Sequence, residues 1–339
     1  MFSRLSCLLT TIATMSLAAS AADRFAPNRC EIIPLPDHQA SFQIHGKEQF
    51  RWHYGTQYSR PFFFPLNGPS GQTLTRVGHP GAANHDHHRS VWFAHHDVNG
   101  GDFWSENGNT QIRQKLWYAY RDGDNEAIMA NGLGWFDPDG KEVMEQEVAT
   151  AMIPMRNGEY LVEFQITTRP AKNSKSVALK KTNFGFLAVR VAKTISAFFG
   201  GGTISSSEGW VGEPDIFGKA SRWVDYSGPV TVGTRSNRNT IVEGITYFDH
   251  PANVNYPAKW HVREDGWMGA SICRDHDHIV THEKPLIVRY LLHIHSGPYD
   301  HEQASVIQSE FAKRVGFKIG ERQQKHRHYE VWRAGDRKR

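Results

Sequence analysis

The chain has 339 residues, a formal charge of +4 and 39% hydrophobic residues, enough for one large β domain or two smaller ones. Its 10 Trp, 19 Phe, 11 Tyr and 30 Gly favour strands and turns over a helical bundle. Basic residues concentrate only from Lys325 to Arg339, with no patterned basic face, which argues against a nucleic-acid partner.

The first residues read as an export signal: Arg4 opens it, Leu5 to Leu17 form its apolar core, and Ala19-Ser20-Ala21 its cleavage site. The expected division is a signal peptide over 1–21, one β-sandwich domain over 22–320 and a basic tail over 321–339. The expected location is secreted or periplasmic. No later stretch is long and apolar enough to span a bilayer, so no membrane insertion is expected. Cys7 would leave with the signal. Cys30 and Cys273 remain, and in an oxidising compartment they would be candidates for one long-loop disulfide.

Glu31 to Gln43 reads as an opening strand with turn residues at Pro34 to Asp37. Phe50, Trp52 and Tyr54 alternate with Arg51 and His53 as a half-buried strand. In Arg60-Pro61-Phe62-Phe63-Phe64-Pro65-Leu66 the prolines exclude a helix or a central strand, so an edge segment or a wall is expected. Ala127 to Ile153 reads as a long hairpin turning at Asp137-Pro138-Asp139-Gly140. Tyr160–Thr167, Phe184–Ala192, Val230–Arg235, Ile241–Phe248 and Leu286–His295 are further strands. Asp300 caps a short late helix whose Ala304, Ile307 and Phe311 share a face. The sum is an all-β chain, a large antiparallel β-sandwich with one short late helix.

Between these strands lies His85 to Trp104, with five histidines, three aspartates, an arginine and two tryptophans in twenty positions. Buried polar groups must be bonded or charged, and disordered segments are poor in aromatics. The mixture fits the floor of a polar cleft with aromatic walls. In His85-x-His87-His88, alternate residues of an extended chain face one way, so His85, His87 and Arg89 would point together. Two imidazoles with His95 and a carboxylate such as Asp97 or Asp102 would make a divalent metal site. The competing interpretation is metal-free: histidines binding hydroxyls or exchanging protons near neutral pH.

Val98-Asn99-Gly100-Gly101 reads as a tight turn, and Asp102-Phe103-Trp104 returns the chain to the cleft. Trp92 and Trp104 are candidate sugar platforms or core aromatics. Arg222-Trp223-Val224-Asp225-Tyr226, His250-Pro251 and Trp260-His261-Val262-Arg263 mix aromatics with titratable groups. An Arg or His there would neutralise an oxyanion or a substrate carboxylate. Gly200-Gly201-Gly202 is no phosphate loop, lacking the Lys-Ser/Thr that should follow. No nucleotide cofactor is expected, and no nucleophile triad can be assembled.

Arg60 to Leu66, Asn84 to Phe93 and Asp97 to Trp104 resemble blocks of a family of exported bacterial proteins labelled PmoA, and Gly218 to Gly228 and His250 to Arg263 are similar to its later blocks. This sequence departs from the pattern at Asp86, where a proline is common, and at Asn183-Phe184-Gly185-Phe186, which replaces a more charged, glycine-rich run. The label refers to an integral membrane oxygenase subunit, at odds with a chain lacking a spanning segment. The family's association with polysaccharide degradation implies a carbohydrate or glycoside partner. A weaker fold-level analogy, to the supersandwich of aldose mutarotases and related lyases, implies His, Arg and a carboxylate on a concave sheet face.

The expectation is therefore an exported carbohydrate-active enzyme. His85, His87, His88, Arg89, His261 and Arg263 form its catalytic set. Arg60, Trp92, Asn99, Asp102, Trp104, Arg222, Tyr226, His250 and Trp260 would bind substrate. A hydrolase would need two flanking carboxylates, for which only Asp97 or Asp102 with Glu147 or Glu208 can be nominated, so lyase or isomerase chemistry is favoured. The alternatives are a non-catalytic carbohydrate-binding protein and a metal-dependent oxidoreductase with copper or iron at His85, His87 and His95.

Overall fold

Alternating apolar and polar residues dictate the strands, and the buried alternate faces pair them into two sheets. A computed structural model describes residues 27–336; the signal expected at 1–21 lies outside the described residues. Strands are numbered in chain order.

The first eight-stranded antiparallel sheet runs β1 (Cys30–Leu35), β2 (Gln39–Ile44), β3 (Lys47–His53), β4 (Phe62–Leu66), β5 (Val91–His95), β11 (Gly185–Arg190), β16 (Trp267–Ser271), β15 (Lys259–Arg263). The second runs β12 (Thr203–Ser206), β13 (Trp223–Thr234), β14 (Asn237–Asp249), β18 (Leu286–Ser296), β9 (Tyr160–Pro170), β8 (Glu142–Pro154), β7 (Ala127–Phe136), β6 (Gln111–Arg121). Two short pairs complete it: β10 (Ser176–Leu179) with β17 (His278–Thr281), and β19 (Phe317–Gln324) with β20 (Arg327–Arg333).

The two large sheets pack face to face. Phe50 stacks on Tyr160, Phe63 meets Phe164 edge-on, and Tyr247 meets Trp260 with centroids 4.8 Å apart. These contacts belong to one contiguous core. Among the described residues the α-helices are α1 (Ala197–Gly200), α2 (Glu213–Ile216) and α3 (His301–Lys313). Asp300 caps α3 by accepting from the Glu302 and Gln303 amides, and Ala304, Ile307 and Phe311 are buried against the outer face of the second sheet. No helix among the described residues is long and apolar enough to cross a membrane.

Three expectations need correction. The Pro-flanked β4 is an interior strand between β3 and β5. Its prolines are tolerated because its ladder is sparse: β5 meets it only at Phe62 and Phe63, and the β3 register slips between Phe50 and Trp52. Residues 321–336 are not a loose tail but finish the β19–β20 hairpin, anchored by Arg333 on Glu126 and Glu163. Cys30 and Cys273 do not pair, although both are buried. β1 and β16 stand six strand spacings apart in one sheet, about 29 Å at ~4.8 Å each, far beyond disulfide reach.

Candidate functional site

The outer face of the first sheet, over β5, β11, β16 and β15, carries a cleft of about 340 Å³. Strand alternation supplies part of it. On β15, Trp260 enters the core, while His261 and Arg263 turn to the cleft. Loops at the ends of these strands bring the rest: Asn84, His85, His87 and His88 before β5, His96, Asp102, Trp104 and Ser105 after it, Phe184 before β11, and Asp265 in the β15–β16 turn. Arg190 ends β11 and Trp267 opens β16.

The histidine loop folds compactly. The His87 and His88 ring centroids are 4.5 Å apart, those of His85 and His88 5.1 Å. His88 is buried against the Trp92 and Trp267 rings, which also meet each other. Burial removes water from these imidazoles, and neighbouring cations add to the effect. His87 is lowered to about 4, by burial and then Arg60. His88 is pushed far below the usual histidine range by burial and then Arg190. His261 is lowered to about 4, by burial and then Arg263. These three rings are uncharged at neutral pH.

The His261 tautomer follows from its partner. Nδ1 lies 3.3 Å from the Asn183 carbonyl oxygen, which only accepts, so Nδ1 carries the hydrogen and Nε2 keeps its lone pair. Across the sheet, Arg190 donates twice to Asp265 at 2.8 and 2.9 Å, and His79 Nε2 is 2.8 Å from the same carboxylate. Burial alone would raise the Asp265 pKa, but the Arg190 guanidinium holds it low. Asp102 accepts from the Trp104 and Ser105 amides and the Ser105 hydroxyl. His96 Nε2 stands 3.8 Å from it. Arg263 donates to Glu213 at 2.6 Å.

Several buried polar atoms at this cleft have no protein partner: His79 Nδ1, His88 Nδ1, Trp92 Nε1, Arg190 Nε and Trp267 Nε1. Other such atoms are spread over both sheets, among them Asn131 Oδ1, Thr150 Oγ1 and Tyr290 Oη. Of the Phe and Trp rings lining this cleft Phe184 is the accessible one, 39% exposed against 4% for Trp104 and 3% for Trp267.

His85, His87, His88, Asp102, Trp104, His261 and Arg263 are thus brought together as expected. Others are not. Arg89 faces away from the cleft, held by Glu106 through two bonds of 2.9 and 2.7 Å and lying over the Tyr58 ring. Arg60 is buried behind the loop and donates to the His87 and Phe103 carbonyls. Trp92 is 1% exposed, a floor under His88 rather than a platform. Asn99 makes the turn, with φ +53°, and accepts from the Ala178 amide. Tyr226 is buried, accepting from the Ala197 amide and donating to the Glu264 carbonyl.

Trp260 is a core residue bonded to the Ser221 carbonyl. His250 is buried against Arg289 and Phe311. Arg222 pairs with Glu208 beside Trp223, and Glu147 pairs with Arg169 on the second sheet.

The expected ligand set His85, His87, His95 and Asp97 does not converge. His95 shares the strand face of Phe93, which meets Trp135 of the second sheet, so it points inward; its Nε2 is 2.9 Å from the Lys180 carbonyl. Asp97 accepts from the Gly100 amide in the turn. Among the described residues no group of three or more His, Cys, Asp or Glu is placed to hold a metal ion.

Sequence reasoning missed Arg190, Asp265, Trp267, His96, His79 and Phe184. Arg190 and Trp267 sit at strand ends without a local motif, and Asp265 occupies an ordinary turn. Asp265 offered a signal, two residues beyond Arg263 and one before Gly266, and His96 lies within the His85 to Trp104 stretch.

The molecule is thus an all-β sandwich with a histidine-rich, aromatic-walled cleft on one outer face. A family model matches residues 39–308, and the chain belongs to that family, the Family of unknown function (DUF6807). The match contains every cleft residue and stops short of the β19–β20 hairpin. No curated protein matches the chain. Among solved structures it is similar to a 4-alpha-glucanotransferase from Thermococcus litoralis, at 9% identity and TM-score 0.28, over 80% of this chain and 40% of that one. It is also similar to the protein HI1317, at 9% identity and TM-score 0.25, over 78% of this chain and 98% of that one.

Proposed function

We propose that the chain is an exported carbohydrate-active enzyme that moves protons at a sugar carbon with uncharged imidazoles, in an elimination or epimerisation. The observation that carries this is one cleft holding three imidazoles neutral at pH 7, His87, His88 and His261, beside an arginine–aspartate pair and an accessible aromatic ring.

The roles follow from chemistry. His261 Nε2 holds a lone pair and is the base that takes a proton from a carbon beside a carbonyl. The electron pair moves to that carbonyl oxygen, and the proton then returns to carbon in an epimerisation or goes to the departing oxygen in an elimination. The sugar's C–H face rests on Phe184. A neutral imidazole donates a hydrogen bond to a developing oxyanion without first losing a proton, and His88 or His87 takes that part. Arg190, held in place by Asp265, adds fixed positive charge near the same oxygen. A hydrolase is a poorer fit. Of the cleft carboxylates, Asp265 is engaged by Arg190 and His79, and Asp102 by Ser105 and the Trp104 amide.

The test is a screen of the purified protein on neutral, acidic and 3-oxidised glycosides, reading elimination products and epimers. On a positive substrate, His261→Gln should lower kcat by about 10²–10⁴-fold with folding unchanged by circular dichroism. A folded His261→Gln variant with full turnover removes His261 as the base. Sugar binding without turnover, indifferent to His261 and His88, would instead favour a binding protein.

A further inference from the structure

A second cleft, of about 1300 Å³, lies at the far edge of the other sheet, between strand β6 and the β19–β20 hairpin. Two register shifts, between Gln114 and Leu116 and between Trp117 and Ala119, break the alternation of β6. Trp117, Tyr118 and Tyr120 border this cleft together with Tyr329 of the hairpin. Trp117 and Tyr120 do so from the side packed on the main core, where Trp117 also meets Tyr54 edge-on at 5.2 Å, and Tyr118 from the side packed under the hairpin. All four rings are half-buried. Trp117 and Tyr120 lie 4.5 Å apart, and Tyr118 meets Tyr329 edge-on at 5.0 Å.

We propose that this cleft is a second saccharide-binding site that holds an extended, uncharged glycan chain. Half-buried Trp and Tyr rings offer flat apolar faces to sugar C–H groups while their polar tips bond hydroxyls. The volume exceeds the roughly 300–1,000 Å³ of a small-molecule pocket, which fits a chain better than a single ring. The lining carries no surplus of cations: Arg121 is held by Glu126, Arg322 by Glu330, and Asp122 and Glu321 also border it. An acidic polymer is therefore not favoured.

β6 is the outer strand of its sheet, but bulges and the charged Lys115 and Arg121 are devices that oppose strand addition, which argues against a pairing peptide. The hairpin wall lies outside the family-matched residues, so this cleft is not made by the matched region alone. The inference rests on the cleft's own chemistry and does not depend on the reaction proposed above.

The experiment is affinity electrophoresis of the purified protein in gels containing β-glucan, xylan or galactomannan, with polygalacturonate and alginate as acidic comparisons. Retardation is expected in at least one neutral gel. Trp117→Ala and Tyr329→Ala should each weaken it at least roughly tenfold, and Phe184→Ala at the other cleft should leave it unchanged. Thermal unfolding checks that each variant folds; Tyr329, on the hairpin, carries the test if the Trp117 variant does not. Three outcomes overturn the proposal: no retardation in any neutral gel, retardation abolished by Phe184→Ala but not by the ring variants, or a dimer in sedimentation velocity that Tyr329→Ala splits. The last would give the cleft to a second copy of the chain.

Discussion

His261 turns a backbone contact into a chemical property. The Asn183 carbonyl fixes the hydrogen on Nδ1, and burial followed by Arg263 lowers the ring to about 4. A base that is already neutral at pH 7 gives a distinctive pH profile. Activity should stay flat through neutral pH and fall on the acid side with an apparent pKa near 4, not near the ordinary histidine value of about 6.5. A kcat/KM profile on any substrate found by the screen checks this, and an acid limb at 6–7 would assign the proton transfer to an unperturbed histidine. Arg190 is the residue-scale surprise. It is 1% exposed, yet its bidentate bond to Asp265 sets one wall of the cleft.

At the scale of elements, the C-terminal hairpin is held by charge as well as by packing. Phe317 and Val331 sit on β7 and β8 beside Ile128, Ala130 and Ala151. Beneath them Glu163, fully buried, meets Arg289 at 2.6 Å, Arg333 at 2.9 Å and Arg314 at 3.2 Å. Removing the carboxylate would leave three guanidinium groups around an uncharged side chain. Glu163→Gln should lower unfolding free energy by about 3–5 kcal/mol, measured by urea denaturation. A loss below ~1 kcal/mol would mean water reaches the arginines. Strand elements were legible where alternation was clean, as in the β7–β8 hairpin turning at Pro138 to Gly140. They were misjudged where a proline sits in a sparse ladder, as in β4.

At the scale of the whole molecule, many histidines are buried in uncharged form. His87, His95, His250 and His261 are each lowered to about 4, burial being the first cause in every case. Between about pH 6.5 and 4 the unfolded chain binds protons at these sites and the folded chain does not, so stability falls as pH falls through that window. Above 6.5 both states are neutral there and these groups make no difference. His295 opposes the trend: its pKa is raised because Asp225 outweighs the effect of burial. The unfolding temperature should be lower at pH 5 than at pH 7.5. Calorimetry across that range checks the sign, and a higher value at pH 5 would show that pairs of the His295–Asp225 kind dominate.

What the sequence determined by itself was local. Periodicity marked β3, β7, β8, β9, β11, β14 and β18, Asp300 and its apolar stripe marked the late helix, Asn99-Gly100 marked the turn, and the crowding of polar and aromatic residues from His85 to Trp104 marked the cleft. What only tertiary structure decided was which residues share that cleft. Phe184 and Arg190 stand at the two ends of β11, Asp265 lies 75 residues beyond Arg190 in the β15–β16 turn, Trp267 opens β16, and antiparallel pairing of β5, β11, β16 and β15 makes them neighbours. Strand alternation also sent His95 inward, away from the histidines beside it in sequence. Local pattern fixes which way a side chain points within its own strand. Sheet order fixes what it meets, and that order is set by burial across the whole core.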